Sequence, residues 1–322
     1  KFLVQGPDAG AALERISANR VDGDPGVITY TQWLNEAGRL EADLTVTKLD
    51  DDRFWVVASD TAHRHVETWM RRHMEDARAY VTDMTSAYAQ INIQGPRSRE
   101  LLQSITSADL SNEAFPFRTA REIDLGFARA LCVRITYLGE LGYELYVPAE
   151  QAVYVYERLT EAGRAVDLRH TGLKALSSLR MEKAYRDFGH DIDNTDSVLE
   201  VGLGFAVVMD KDFIGRDAVA RFKESGPLMR RLAQVRILDP EPQMFHGEVV
   251  YRDGAPVGYV RAASYGHTLG GAVGLAMIET GDPVTADTIN SGAWEIDVAG
   301  TRYPAVASLR PMYDPDSSRI RA

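Results

Sequence analysis

The sequence predicts an α+β protein of antiparallel sheets and helices that ends in a small β-barrel or jelly-roll-like domain. Three observations carry this. Ala130–Thr136 and Tyr143–Val147 place apolar residues at every second position, the period of strands. From Leu232 onward the texture changes to short apolar strands separated by glycine-rich turns. The chain has 322 residues, more than one ordinary core requires and enough for two or three domains.

Taken in order, Lys1–Gln5 reads as a strand that turns at Gly6-Pro7, and Asp8 is placed to N-cap a helix running to about Ser17. Pro25-Gly26 opens the strand Val27–Leu34. Asn35–Gly38 is a hairpin loop, and Arg39–Leu49 returns with Leu40, Ala42, Leu44 and Val46 on its apolar face. Glu41, Asp43, Thr45 and Thr47 form the polar face of that strand. Phe54–Ala58 is a strand, Thr61–Met74 a helix, Ala79–Asp83 and Ala87–Gln94 strands, and Arg97–Ile105 a helix. This order through Val147 is that of a split α/β sandwich. Gln151–Gly163 is helical. Thr171–Phe188 reads as the longest helix, closed by Gly189, with Leu173, Leu176 and Leu179 on its buried side. Val201–Val208 is strand-like, and a small helix spans Gly215–Lys223. Six strands follow: Leu232–Leu238, Val249–Tyr251, Val257–Ala262, Gly274–Ile278, Trp294–Val298 and Ala305–Ala307.

Composition limits the function. Hydrophobic residues make up 45% and charged residues 26%, the balance of a soluble globular protein. The net charge of −11 argues against a general nucleic-acid or anionic-membrane surface. No apolar run approaches the roughly 20 residues that span a bilayer. A single cysteine, Cys132, rules out an internal disulfide and suits a reducing compartment, the cytoplasm or, in a eukaryote, the mitochondrial matrix. Lys1-Phe2-Leu3-Val4 reads as the inside of a strand without an initiator Met, the pattern of a fragment of something longer.

Glu144 stands out because glutamate is depleted in strands, and here it lies among Tyr137, Tyr143 and Tyr146. Its two oxygens suit a flat ligand with an amidine edge, which offers two parallel N–H donors. The plain alternative is a charge facing solvent from a half-exposed strand. Asp43 is a second carboxylate inside a strand, beside Thr45, and there too an outward-facing charge is the alternative. Arg180 and Glu182 lie on the long helix, where a structural ion pair or a solvated face competes with a binding role. The seven histidines contain no zincin spacing, so no metal is expected. Gly-x-Ser-x-Gly, a P-loop and a Gly-x-Gly-x-x-Gly between strand and helix are all absent, so this chain carries no nucleotide or flavin fingerprint.

Tyr137-Leu138-Gly139-Glu140-Leu141-Gly142-Tyr143-Glu144-Leu145-Tyr146 resembles a signature run of the folate-dependent aminomethyltransferases, the T-protein of the glycine cleavage system and its relatives. Thr29–Gly38 resembles their first hairpin, Leu179–Lys183 and Phe188–Ile192 their helix and following loop, and Glu200–Val207 and Asp212–Ala218 also fit. Met84–Ala89, Ala114–Phe117 and Ser308–Pro315 resemble the C-terminal folate half of dimethylglycine and sarcosine dehydrogenases or oxidases.

The resemblance implies a three-domain ring around tetrahydrofolate. Residues 1–47 and 167–226 would form the first, discontinuous domain, with its N-terminal part missing. Residues 48–166 would form a ferredoxin-like α/β sandwich, and 227–322 the C-terminal barrel. It implies Asp43 as the catalytic carboxylate, Glu144 and Tyr137 at the pterin, and Thr45 and Arg180 as further pocket positions. FAD would sit only on an upstream amine-oxidising domain or on a separate subunit. The small-molecule substrate would be an N-methyl amine, dimethylglycine- or sarcosine-like, or its iminium, and the product 5,10-methylenetetrahydrofolate. A stand-alone aminomethyltransferase or demethylase is one alternative. A non-catalytic folate scaffold is another, although the Lys-Gly-Cys-x-x-Gly-Gln motif of such scaffolds is replaced here by Lys183-Ala184-Tyr185-Arg186.

Overall fold

The computed structural model describes residues 1–322, which form two compact units. The first contains Lys1–Thr31, Leu44–Thr171 and Ser317–Ala322; the second contains Gln32–Asp43 and Gly172–Asp316.

In the first unit the chain begins with β1 (Phe2–Gln5) and α1 (Ala9–Ile16). Asp8 does stand at the N-cap of α1, but its side chain makes no capping bond. It instead accepts hydrogen bonds from the Arg78 amide and guanidinium at 2.8–2.9 Å, and that guanidinium holds its carboxyl down at about 2. A charge-assisted bidentate pair outcompetes a cap bond to a neutral amide. Next come β2 (Ile28–Leu34), β3 (Leu40–Asp50), β4 (Arg53–Ala58), α2 (His63–His73) and β5 (Tyr80–Asp83). These strands make a five-stranded sheet ordered β2-β3-β4-β1-β5. β6 (Tyr88–Gln94), α3 (Ser98–Gln103), β7 (Ala120–Leu125), β8 (Ala128–Val133), β9 (Gly142–Pro148) and α4 (Ala152–Gly163) follow.

β6 to β9 form a separate four-stranded sheet ordered β6-β9-β8-β7. The expected single sandwich from Phe54 to Val147 is therefore divided: β4 and β5 both pair with β1. Edge-to-edge partners of this kind cannot be read from element order. β8 and β9 do pair antiparallel, with Leu131 opposite Tyr146 and Val133 opposite Glu144. The link between them uses its glycines differently. Gly139 sits at φ +77°, whereas Gly142 is extended and leaves room for the Gln94 side chain, whose Oε1 would lie 1.8 Å from an added Cβ. β7 answers to no strand in the sequence reading; its Arg121, Glu122 and Asp124 mask the buried Ile123 and Leu125.

Both faces of this four-stranded sheet are covered. On one, Tyr143, Leu145 and Val147 of β9 pack with Leu101 and Leu102 of α3 and Val155 and Leu159 of α4. On the other, Tyr146 and Val133 pack with Trp55 and Ile28 from the five-stranded sheet.

The second unit takes the tip of the β2–β3 hairpin, where the Asn35 side chain accepts from the amides of Ala37 and Arg39 and Gly38 adopts φ +72°. It continues with α5 (Leu173–Glu182) and α6 (Arg216–Glu224). α5 has ten residues and is not the longest helix, since α4 has twelve. α5 is closed by Ala184 at φ +53° rather than by Gly189. Its buried residues are Ser178, Arg180, Met181 and Glu182, whereas Leu173 is exposed. The leucine pattern misleads because ion pairs and hydrogen bonds hold the polar face inward. Val201–Val208 is no strand either: it consists of turns and a 3₁₀ turn at Gly204–Ala206.

Then come β10 (Arg230–Ile237), β11 (Val249–Arg252), β12 (Ala255–Gly266), β13 (Gly271–Glu279), α7 (Ala286–Asn290), β14 (Trp294–Val298) and β15 (Thr301–Ser308). The six strands close a barrel in the order β10-β13-β12-β11-β14-β15 around Val235, Ile237, Val250, Val260, Ile278 and Ile296. Closure removes the exposed edges that short strands otherwise present.

Candidate functional site

The period-two pattern of β9 sends Glu144 and Tyr146 to the face opposite Tyr143, Leu145 and Val147. Glu144 lies between Asn92 of β6 and Val133 of β8; Tyr146 lies between Gln90 and Leu131. The Tyr146 hydroxyl donates to Glu144 Oε2 at 2.7 Å. Behind it, Trp55 meets the Tyr146 ring edge-on at 5.6 Å and the Tyr88 ring at 5.2 Å. Glu144 is half-buried against this apolar layer, so the charge does not simply face solvent. Burial pushes its carboxyl up, and the Tyr146 hydrogen bond pulls part of the way back. The Tyr146 phenol is raised well above its ordinary value by burial and by the adjacent carboxylate.

A carboxylate has about four acceptor positions. The Tyr146 hydroxyl takes one, leaving capacity on both oxygens for a ligand with paired N–H donors.

The other expected site residues are placed as follows. Thr45 pairs with Val57, and Thr47 with Trp55, so both threonines share the Trp55 face of the sheet. Tyr137 is half-buried in the β8–β9 link. There Thr136 Oγ1 accepts the Leu138 amide, and the Leu141 carbonyl accepts from Gly95 N and Ser98 Oγ. Thr45, Tyr137 and Glu144 belong to the first unit, and Asp43 and Arg180 to the second.

Asp43 is half-buried and accepts the Gln32 side-chain amide at 2.9 Å; Gln32 is itself fully buried. The hairpin tip that carries both is tied down in the second unit. Leu40 N donates to Asp196 O at 3.1 Å, and Arg39 pairs with Glu200 at 3.0 Å. Asp196 and Glu200 are in turn bound by Arg230, and Asp196 by Arg261. Arg180 is buried and donates to both Asp191 oxygens at 2.9 Å and to Tyr185 O at 3.0 Å. Glu182 Oε1 accepts the amides of Thr268 and Leu269 at 2.7 and 2.8 Å. Lys183 pairs with Asp314 at 3.0 Å. No group of three or more His, Cys, Asp or Glu is placed to hold a metal, and burial pushes the Cys132 thiol up.

The sequence placed Tyr146 beside Glu144 but gave it no role of its own, and it left out Trp55 and Gln32. Gln32 carries a weaker signal, a lone amide beside Trp33-Leu34. Trp55 comes from another sheet, and nothing in the sequence joins it to Glu144.

Residues 1–211 match the GCVT N-terminal domain, and residues 230–314 match the glycine cleavage T-protein C-terminal barrel domain. The whole chain is 40% identical to 38% of the length of a 4-methylaminobutanoate oxidase (formaldehyde-forming) from Paenarthrobacter nicotinovorans. It is 32% identical to 37% of the length of mitochondrial sarcosine dehydrogenase from Mus musculus. The chain thus spans under two fifths of the length of these curated relatives. The crystal structure of the glycine cleavage system aminomethyltransferase T from Bartonella henselae superposes with a TM-score of 0.84 over 98% of this chain and 84% of that one, at 22% identity.

Proposed function

Because the chain belongs to the glycine cleavage T-protein family, we propose that it binds a reduced folate at Glu144 and transfers a one-carbon unit to it. The observation that carries this reading is the half-buried strand carboxylate that Tyr146 leaves with acceptor capacity on both oxygens. When bound, tetrahydrofolate supplies the nucleophilic nitrogen that receives the carbon.

Glu144 binds and orients the pterin edge by charge-assisted hydrogen bonds. The aromatic layer of Trp55, Tyr88 and Tyr146 keeps water from competing for that carboxylate. Tyr137 and Thr45 serve as further ligand contacts. Asp43, held by Gln32, is the catalytic carboxylate. It stabilises positive charge that develops as a neutral nitrogen attacks a cationic CH₂ unit, and it takes up the proton released. Arg180 acts by fixing the turn after α5 through Asp191.

The methylene source is an iminium made from an N-methyl amine of the dimethylglycine, sarcosine or methylaminobutanoate type. A flavin-bearing domain or subunit outside this chain carries out that oxidation. No helix is long and apolar enough to cross a membrane. The mitochondrial sarcosine dehydrogenase among its relatives supports a place in the mitochondrial matrix or, in a bacterium, the cytoplasm.

The test supplies the amine and tetrahydrofolate to the native polypeptide and to its Asp43→Asn form, and follows 5,10-methylenetetrahydrofolate and free formaldehyde. Methylene transfer is expected to fall by about 10²–10⁴-fold, with formaldehyde appearing in its place. An unchanged folate product would make Asp43 a structural carboxylate.

A further inference from the structure

We propose that Tyr146 is a positioning residue of the Glu144 site: its hydroxyl, bonded to one carboxylate oxygen, holds the carboxylate in the charged, accepting form that the ligand's paired N–H edge requires. This rests on the reading that Glu144 holds a reduced folate.

Three features of the fold make Tyr146 a rigid support. It lies mid-strand on β9, with backbone partners on both sides, Gln90 on β6 and Leu131 on β8. Its ring is 1% exposed and is wedged against Trp55 in the layer shared with Ile28 and Val133. A phenolic hydroxyl in such a layer is costly without a partner, and its bond is to Glu144 at 2.7 Å. The phenol meets that need through the Glu144 carboxylate, one of whose oxygens it holds.

The arrangement also sets the charge state. Beside Glu144 in the sheet stand Asn92 on β6 and Val133 on β8, with Tyr146 two residues on along its own strand and Trp55 and Tyr88 beyond the phenol. The titratable groups among them are Tyr146 and Tyr88, and burial beside the carboxylate raises the Tyr146 phenol well above its ordinary value. Burial drives the Glu144 carboxyl toward its protonated form, and the opposing influence is the Tyr146 hydrogen bond. A protonated carboxyl presents a donor to a ligand that itself donates. Removing the hydroxyl should thus move the loss of ligand binding to higher pH.

Tyr146→Phe deletes the hydroxyl and keeps the ring. The first experiment follows the Glu144 side-chain carbon by NMR in protein labelled with ¹³C-glutamate, without ligand. The resonance is assigned by its absence in Glu144→Gln, and circular dichroism confirms that each variant is folded. The titration midpoint is expected to rise by about one pH unit in Tyr146→Phe, a tenfold change in the protonation constant. An unmoved midpoint overturns the proposal.

The second experiment titrates 5-formyltetrahydrofolate, whose acylated N5 does not itself protonate, across pH 5–8.5. In Tyr146→Phe the acid limb of binding should move up with the carboxyl midpoint, while affinity at pH 8.5 stays within about threefold of native. In a Glu144→Gln background the same change should leave the pH profile unmoved. A uniform loss of affinity at every pH would show a merely structural tyrosine and overturn the proposal. A raised midpoint in a protein that does not bind the folate would support the tyrosine–carboxylate pair and contradict the folate reading.

Discussion

Glu144 is held at a cost to stability. Its carboxyl is raised in the folded chain above its value in the unfolded chain. The folded state therefore binds a proton that the unfolded state releases. The penalty is absent below the unfolded value and grows as pH rises through the folded one. Glu144→Gln should accordingly melt close to the native protein at about pH 4 and above it at pH 7. Thermal unfolding at the two pH values checks this; a variant less stable than native at pH 7 would contradict it. Both candidate carboxylates were legible because aspartate and glutamate are depleted in strands. Arg180 was legible only as a polar residue on a helix. Its partner Asp191 comes from a loop, and no sequence period brings the two together.

At the scale of elements, the barrel strands are the most legible part, since short alternating runs bounded by glycine have few other readings. α5 is the least legible. Its leucines suggested one buried face, but Arg180, Met181 and Glu182 are the side chains turned in. The decisive partners, Thr268 and Leu269, lie in the turn between β12 and β13, far along the chain. Glu182→Ala would leave these two amides without their acceptor and should destabilise the protein by about 1–3 kcal/mol. Urea denaturation of the two forms measures the difference, and a loss well under this range would show that the turn finds other partners. Gly142 is likewise fixed by a distant partner: it is a strand residue that makes room for Gln94.

For the whole molecule, the sequence reading and the compact units divide the chain differently. We propose the boundaries 1–47 with 167–226, 48–166 and 227–322 as folding domains. The stretch Lys223–Pro227 is exposed and precedes the first barrel strand. Brief trypsin treatment should therefore cut first after Lys223 and release a C-terminal fragment. Early cutting inside β10 to β15 instead would contradict a folded barrel domain. The division of the strands from Phe54 to Val147 between two sheets was hidden because β1, which pairs with both β4 and β5, lies far upstream in the chain.

The central claim is that Glu144 receives a reduced folate. Its most direct test is a calorimetric titration of 5-formyltetrahydrofolate into the native chain and into Glu144→Ala at pH 7.5. Saturable binding by the native protein is expected, with a loss of about 1.5–3 kcal/mol, some tenfold to a hundredfold in affinity, in the variant. Equal affinity in the two proteins, or no binding by the native one, would contradict it.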